Sequence, residues 1–99
     1  MFTGNVVLQH RMNGSPVFSI ELSERKAYTS ALVGMRTADM LPLVQPAQPL
    51  YPLSMVSSGR FCAMGGGVPL TREGQVVGGV GVSGGTVEQD VAIVEAVLT

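Results

Sequence analysis

Gln75 to Leu98 reads QVVGGVGVSGGTVEQDVAIVEAVL, and its three parts decide the fold. Val76, Val77, Val80 and Val82 form a β-branched run suited to a strand. A glycine-rich corner then leads into Thr86-Val87-Glu88-Gln89, which fits a capping box. The Thr86 hydroxyl can accept from one free amide of the helix start, and Gln89 can reach back to another. Behind that cap Val87, Val91, Val94 and Leu98 recur at helical spacing and predict one apolar stripe. The stretch is strand, tight turn, helix, and the rest of the chain must supply what packs against it.

Gly79, Gly81 and Gly84 also spell G-x-G-x-x-G between strand and helix, the spacing of a dinucleotide fingerprint. That motif sets a pyrophosphate on bare helix amides, and it needs a following parallel strand with an acidic residue about 20 positions on. With the sequence ending at Thr99, the expectation is that no such strand follows. Strand glycines also serve the close approach of another backbone or a ligand, and that role is expected instead.

Residues 1–99 suit a single domain with one modest core. Only 13% of residues are charged while 45% are apolar, which is the reverse of a disordered chain. Such a chain must bury its apolar surface or present it to a partner, so a homo-oligomer is expected. The net charge is −1 and the basic residues are scattered, which leaves no electrostatic footprint for nucleic acid. Cys62 is the sole cysteine, so neither an intrachain disulfide nor a zinc cluster follows; it reads as a small buried thiol beside Phe61 and Ala63. No signal-peptide layout and no membrane-length apolar run is visible, and the expected compartment is the cytoplasm.

Along the chain, Asn5 to Met12 (NVVLQHRM) reads as a strand entering a turn at Asn13-Gly14, with Val6, Leu8 and His10 on one face. Phe18 to Met35 reads as a helix that buries Ile20, Ala27, Ala31 and Leu32, exposes Glu21, Glu24 and Arg25, and stops near Gly34. Thr37 to Leu43 resembles a short helical turn capped by Thr37. Pro42, Pro46, Pro49 and Pro52 then forbid a regular strand and predict an ordered loop anchored by Leu50, Tyr51 and Leu53. Arg60 to Met64 and Val68 to Thr71 are strand candidates, and Arg72-Glu73-Gly74 is a hairpin turn into the stretch quoted first. Strands joined by tight turns run antiparallel, so the class is α+β: an antiparallel sheet with packed helices.

His10-Arg11-Met12-Asn13-Gly14, Ser19-Ile20 leading to Lys26-Ala27-Tyr28-Thr29, and Thr37 resemble the first half of the GlcG/HbpS-like family. That family is also found as the C-terminal domain of PduO-type corrinoid adenosyltransferases. Gly65-Gly66-Gly67-Val68-Pro69-Leu70, Gly74, and the run from Gly78 through Ser83-Gly84-Gly85-Thr86 to Asp90 resemble its second half more closely. The resemblance implies a profilin-like fold assembled into oligomers. It further implies haem or a related tetrapyrrole as ligand, with the adenosyltransferase activity belonging to a different domain. A microcompartment-associated role in propanediol, ethanolamine or glycolate use is the alternative, with a protein partner and no cofactor. Family members carry a helix and a strand before the position of Asn5. A chain shortened by these is expected to leave the Asn5–Met12 edge uncovered and to form a tighter or altered oligomer, or to be marginally stable.

The candidate cofactor-binding residues under that resemblance are His10, Arg11, Lys26, Gly66 and Ser83. His10 is the single histidine, and neutral imidazole binds haem iron well; the plainer role is a half-exposed strand histidine bonded to backbone. Arg11 and Lys26 can pair with propionates, or else with Glu21 or Glu24. The methionines can offer a thioether or simply fill core gaps. Ser83 lacks the G-x-S-x-G spacing of a nucleophile elbow and reads as a turn-shaping residue, while Glu88 and Asp90 suit the helix dipole. A binding module is therefore expected ahead of an enzyme.

Overall fold

The structure, a computed structural model, describes residues 5–55 and 59–98. In chain order it holds α1 (Phe18–Val33), α2 (Thr37–Met40), two 3-10 turns (Leu41–Val44 and Tyr51–Met55), β1 (Gly67–Arg72), β2 (Gln75–Gly81) and α3 (Val87–Leu98). β1 and β2 form an antiparallel hairpin running from Gly67↔Gly81 to Arg72↔Gln75. Its turn is Glu73-Gly74, both at positive φ (53° and 78°), the geometry whose twist matches that of the strands. Helices packed on antiparallel strands make the class α+β, as the sequence led us to expect.

α1 lies on the hairpin with its backbone almost touching it. A Cβ on Gly81 would stand 2.0 Å from Ser23 O, one on Gly79 would stand 2.3 Å from Ala27 O, and one on Gly67 would stand 2.4 Å from Lys26 O. Gly67 and Gly81 face each other in the register, so the glycines form one bare platform under the helix. Two glycines of the apparent dinucleotide fingerprint are thus consumed by helix docking. A bulge between Leu70 and Thr71 shifts the register beyond them and brings Val76 to the C-terminal end of α1, 3.6 Å from where a Gly34 Cβ would sit. α1 ends there because Gly34 turns left-handed (φ 79°) and donates its N–H to Ser30 O at 2.8 Å.

This docking corrects the expected apolar stripe of α1. The helix buries Ser19, Lys26, Thr29, Ser30 and Ala31, whereas Ile20 and Leu32 are exposed. A face that approaches backbone so closely has room for small or hydrogen-bonded side chains, and the bulky ones turn outward. Ser30 Oγ donates to Ala27 O at 2.9 Å, and Thr29 Oγ1 accepts from Cys62 N–H at 2.8 Å. Thr37 is no cap: it is buried, and its hydroxyl accepts from Gly67 N–H at 2.9 Å.

α3 begins with the expected capping box. Thr86 Oγ1 accepts from Gln89 N–H at 3.1 Å, and Gln89 Oε1 accepts from Thr86 N–H at 2.9 Å. Its stripe is narrower than predicted: Val94 is buried and Val91 half-buried, while Val87 and Leu98 are exposed. Two predicted strands do not form. Arg60–Met64 is irregular, since the Cys62 amide is spent on Thr29 and no strand among the described residues pairs with it. Asn5–Met12 is likewise irregular, and its side chains are exposed because no described strand pairs with it. No helix among the described residues is long and apolar enough to cross a membrane.

Substituting Gly79 or Gly81 by Ala is expected to destabilise the chain by about 1–3 kcal/mol or more, as overpacking does. Gly78→Ala, whose Cβ would meet only Leu70 Cδ1 at 3.8 Å, is expected to stay near wild type. Urea unfolding of the three variants checks this, and equal losses at all three positions would refute the platform.

Candidate functional site

The sequence-predicted residues fall into two places. Lys26, Gly66 and Ser83 gather beneath the β2–α3 corner; His10 and Arg11 lie on the surface near the start of α1. At the corner Lys26 Nζ donates to Asp90 Oδ2 at 3.1 Å and to Val82 O at 2.9 Å. Asp90 Oδ1 accepts from Gly85 N–H at 3.1 Å, and Gly66 O accepts from Val82 N–H at 2.9 Å. Gly66 (φ 124°) is required there, since a Cβ would lie 2.6 Å from Val82 O and 3.0 Å from Lys26 Nζ. Ser83 follows Val82 directly and is half-buried.

Lys26 is only 1% exposed and Asp90 3%. The expected pairing of Lys26 with Glu21 or Glu24 is therefore corrected: its partner comes from α3, and Glu21 pairs with Arg25 at 2.6 Å. A charge taken this far from water persists only because its partner and remaining hydrogen bonds are in place. Asp90, read from the sequence as suiting the helix dipole, is also the tie between α1 and α3. The Lys26 ammonium reaches no ligand in solvent from this position.

The second place is open. Gln9 Nε2 donates to Ile20 O at 2.6 Å and Arg11 Nη2 donates to Ser15 O at 2.9 Å, which fastens residues 9–11 to the beginning of α1. Ser15 Oγ in turn lies 4.0 Å from where a Gly84 Cβ would sit, so this surface abuts the corner. Around exposed His10, the apolar side chains are uncovered: Val7 is 99% exposed and Leu8 86%, with Met12, Val17 and Phe18 also exposed. Phe18 leads into a groove of about 280 Å³ lined with Leu22, Phe61, Cys62, Glu21 and Arg25. Arg25 Nη1 donates to Gly59 O across it at 2.8 Å. Sequence reasoning missed this groove, because Phe18 and Phe61 are far apart in the chain and neither carries a local motif.

No group of three or more His, Cys, Asp or Glu side chains that could hold a bare metal ion occurs among the described residues. A macrocycle that brings its own four nitrogens needs less from the protein, namely an axial ligand, apolar cover and cations for its carboxylates. On the far side, Arg36 joins Glu95 through Nε–Oε1 at 2.5 Å and Nη2–Oε2 at 3.3 Å, fixing α2 to α3. That hydrogen bond holds the Glu95 carboxyl below its ordinary value and raises Arg36.

Residues 2–99 match the family described as haem degrading protein HbpS-like. The chain is similar to an uncharacterized 15.0 kDa protein in the dhaT–dhaS intergenic region of Citrobacter freundii. The two are 42% identical over 95 residues, covering 96% of this chain and 67% of the relative. The crystal structure of Klebsiella pneumoniae ORFY is similar with a TM-score of 0.91 and 40% identity, over 96% of this chain and 66% of ORFY. A crystal structure of a PduOC–haem complex is similar with a TM-score of 0.88 and 37% identity, over 93% of this chain and 67% of PduOC. The chain thus spans about two thirds of the length of these proteins.

Asp90→Ala is expected to cost about 3–5 kcal/mol, because it strands the buried Lys26 charge. Thermal or urea unfolding reads this, and a loss below about 1 kcal/mol would show the pair to be dispensable. For Glu95 the sign follows from its lowered value. Its contribution is present above the ordinary carboxylate range and is lost as pH falls through the folded-state value. Glu95→Gln is therefore expected to flatten the acid limb of the stability–pH curve while leaving its alkaline limb unchanged.

Proposed function

The chain belongs to the HbpS-like family, and from that premise we propose that it is a non-enzymatic, homo-oligomeric haem-binding domain with His10 as axial ligand. The carrying observation is that the single histidine stands exposed within an apolar surface that nothing described covers. The donor set fits the group. His10 offers a neutral imidazole nitrogen, and Leu8, Met12 and Phe18 offer apolar cover. Arg11 and Arg25 offer guanidiniums to the propionates. Haem, when bound, supplies an iron centre able to take a further ligand or an electron.

Lys26, Gly66 and Ser83 act in this reading as supports of the binding surface. Lys26 is held by Asp90, and Gly66 leaves the space that the ammonium occupies. They keep the β2–α3 corner in place beneath Ser15 and Gly84, to which Arg11 is joined through the Ser15 carbonyl. The PduOC–haem complex, 37% identical, supports haem as the ligand. The likeness to PduO C-terminal domains favours a cytoplasmic, microcompartment-associated setting.

Titration with hemin followed by visible absorption is expected to give a saturable, shifted Soret band. His10→Ala is expected to weaken binding at least tenfold or to change the band position. Saturable binding indifferent to the substitution would remove His10 as ligand. Absence of specific binding would overturn the haem reading and leave an accessory module that binds a protein partner.

A further inference from the structure

Arg25 carries a donor fork that the residues of the groove use only in part. A guanidinium has five N–H groups in one rigid plane. Among the described residues two contacts engage it: Nη1 donates to Gly59 O at 2.8 Å, and Nη2 pairs with Glu21 Oε1 at 2.6 Å. The two contacts are held differently. The Gly59 carbonyl belongs to a segment laid along α1, where Arg60 stacks over the Tyr28 ring at 3.9 Å and Cys62 N–H donates to Thr29 Oγ1. Glu21 sits one helical turn before Arg25 with 68% of its side chain exposed, against 31% for Arg25.

That difference decides which partner can be exchanged. An exposed (i, i+4) ion pair adds little, because water solvates the carboxylate nearly as well once it swings away. Arg25 is mostly covered and cannot turn to water as readily, so it gains from a replacement acceptor. A ligand carboxylate that meets the fork in two parallel hydrogen bonds makes the stronger, charge-assisted contact, whereas a neutral ester or amide does not. Glu21 is thus a resident carboxylate that is readily dislodged, beside a cation that keeps its place through Gly59.

The groove around this pair defines what brings the carboxylate. Phe18, Leu22 and Phe61 give it apolar walls, and Glu21 and Arg25 are the charged side chains that line it. Its volume of about 280 Å³ lies just under the roughly 300 Å³ at which sites for whole drug-sized ligands begin, so it accepts one edge of a macrocycle. Gln9, next to His10, is bonded to Ile20 O, and Arg25 stands about 7.5 Å further along the helix axis. We infer that the carboxylate-bearing edge of the tetrapyrrole enters between Phe18 and Phe61 and takes Arg25 from Glu21. Glu21 is then a built-in competitor, a threshold that a free carboxylate crosses and an ester does not. The inference rests on the haem reading and adds to it the exchange at Arg25 and the specificity that the exchange confers.

Titration with hemin and with hemin dimethyl ester, followed by the Soret band, tests the exchange on wild type, Glu21→Gln, Glu21→Asp and Arg25→Gln. Glu21→Gln is expected to tighten hemin binding about twofold, the worth of an exposed helical ion pair. Glu21→Asp keeps the charge but shortens its reach, and it is expected to tighten hemin as well, with Arg25 untouched. Arg25→Gln is expected to weaken hemin about tenfold and to leave the ester unchanged, and the ester is expected to bind wild type more weakly than hemin does. Tightening by Glu21→Gln with none by Glu21→Asp would reduce Glu21 to simple charge repulsion and overturn the exchange. Hemin binding that depends on His10 but ignores Glu21 and Arg25 would overturn it too and leave the haem reading standing. No saturable binding of hemin to wild type would overturn both.

Discussion

The close approach of α1 to the hairpin governs everything else in this molecule. Three glycines, Gly67, Gly79 and Gly81, remove the side chains that would otherwise hold the helix at an ordinary packing distance. Helix carbonyls of Ser23, Lys26 and Ala27 then stand directly over strand backbone. From this constraint follows the inverted character of α1, whose inner face is small and polar and whose outer face carries Phe18, Ile20 and Leu32. Dispersion between closely packed backbones replaces much of what bulky side chains supply elsewhere.

The second consequence is electrostatic. With so little apolar cover, the chain joins its helices through Lys26 and Asp90, a fully enclosed pair whose further hydrogen bonds go to Val82 O and Gly85 N–H. Such a pair is seldom worth more than a hydrophobic substitute of the same shape, but it is exacting about geometry. It fixes the β2–α3 corner in one position. The surface around His10 is tied through Arg11 to Ser15, which adjoins that corner.

Much of the C-terminal half was legible, because its signals are local. The capping box at Thr86 and Gln89 and the Glu73-Gly74 turn each depend on residues a few positions apart, and both stand where the chain pattern put them, as does the Gly34 stop of α1 in the other half. Rejecting the dinucleotide reading of Gly79, Gly81 and Gly84 depended on context, and the close-approach role holds for the first two. The errors share one cause, which is that partners across space are invisible to periodicity. Ile20 and Leu32 obey helical spacing, yet the platform beneath α1 admits no large side chain. Asn5–Met12 has a strand's residues, but a strand requires a neighbour. Asp90 as the partner of Lys26, 64 positions away, has no local signature. The family resemblance was legible in the glycine runs, while the groove between Phe18 and Phe61 was not.

The glycine platform separates two kinds of inheritance. The contact between α1 and the hairpin is written in backbone atoms, so it stays the same whatever the outward side chains of α1 become. Phe18, Leu22 and Arg25 can drift toward new ligands without disturbing the frame that carries them, whereas a single added methyl at Gly79 or Gly81 cannot be absorbed. The scaffold is thus brittle at its glycines and free on its outer helix face, a division that lets binding preferences diversify on an unchanging backbone.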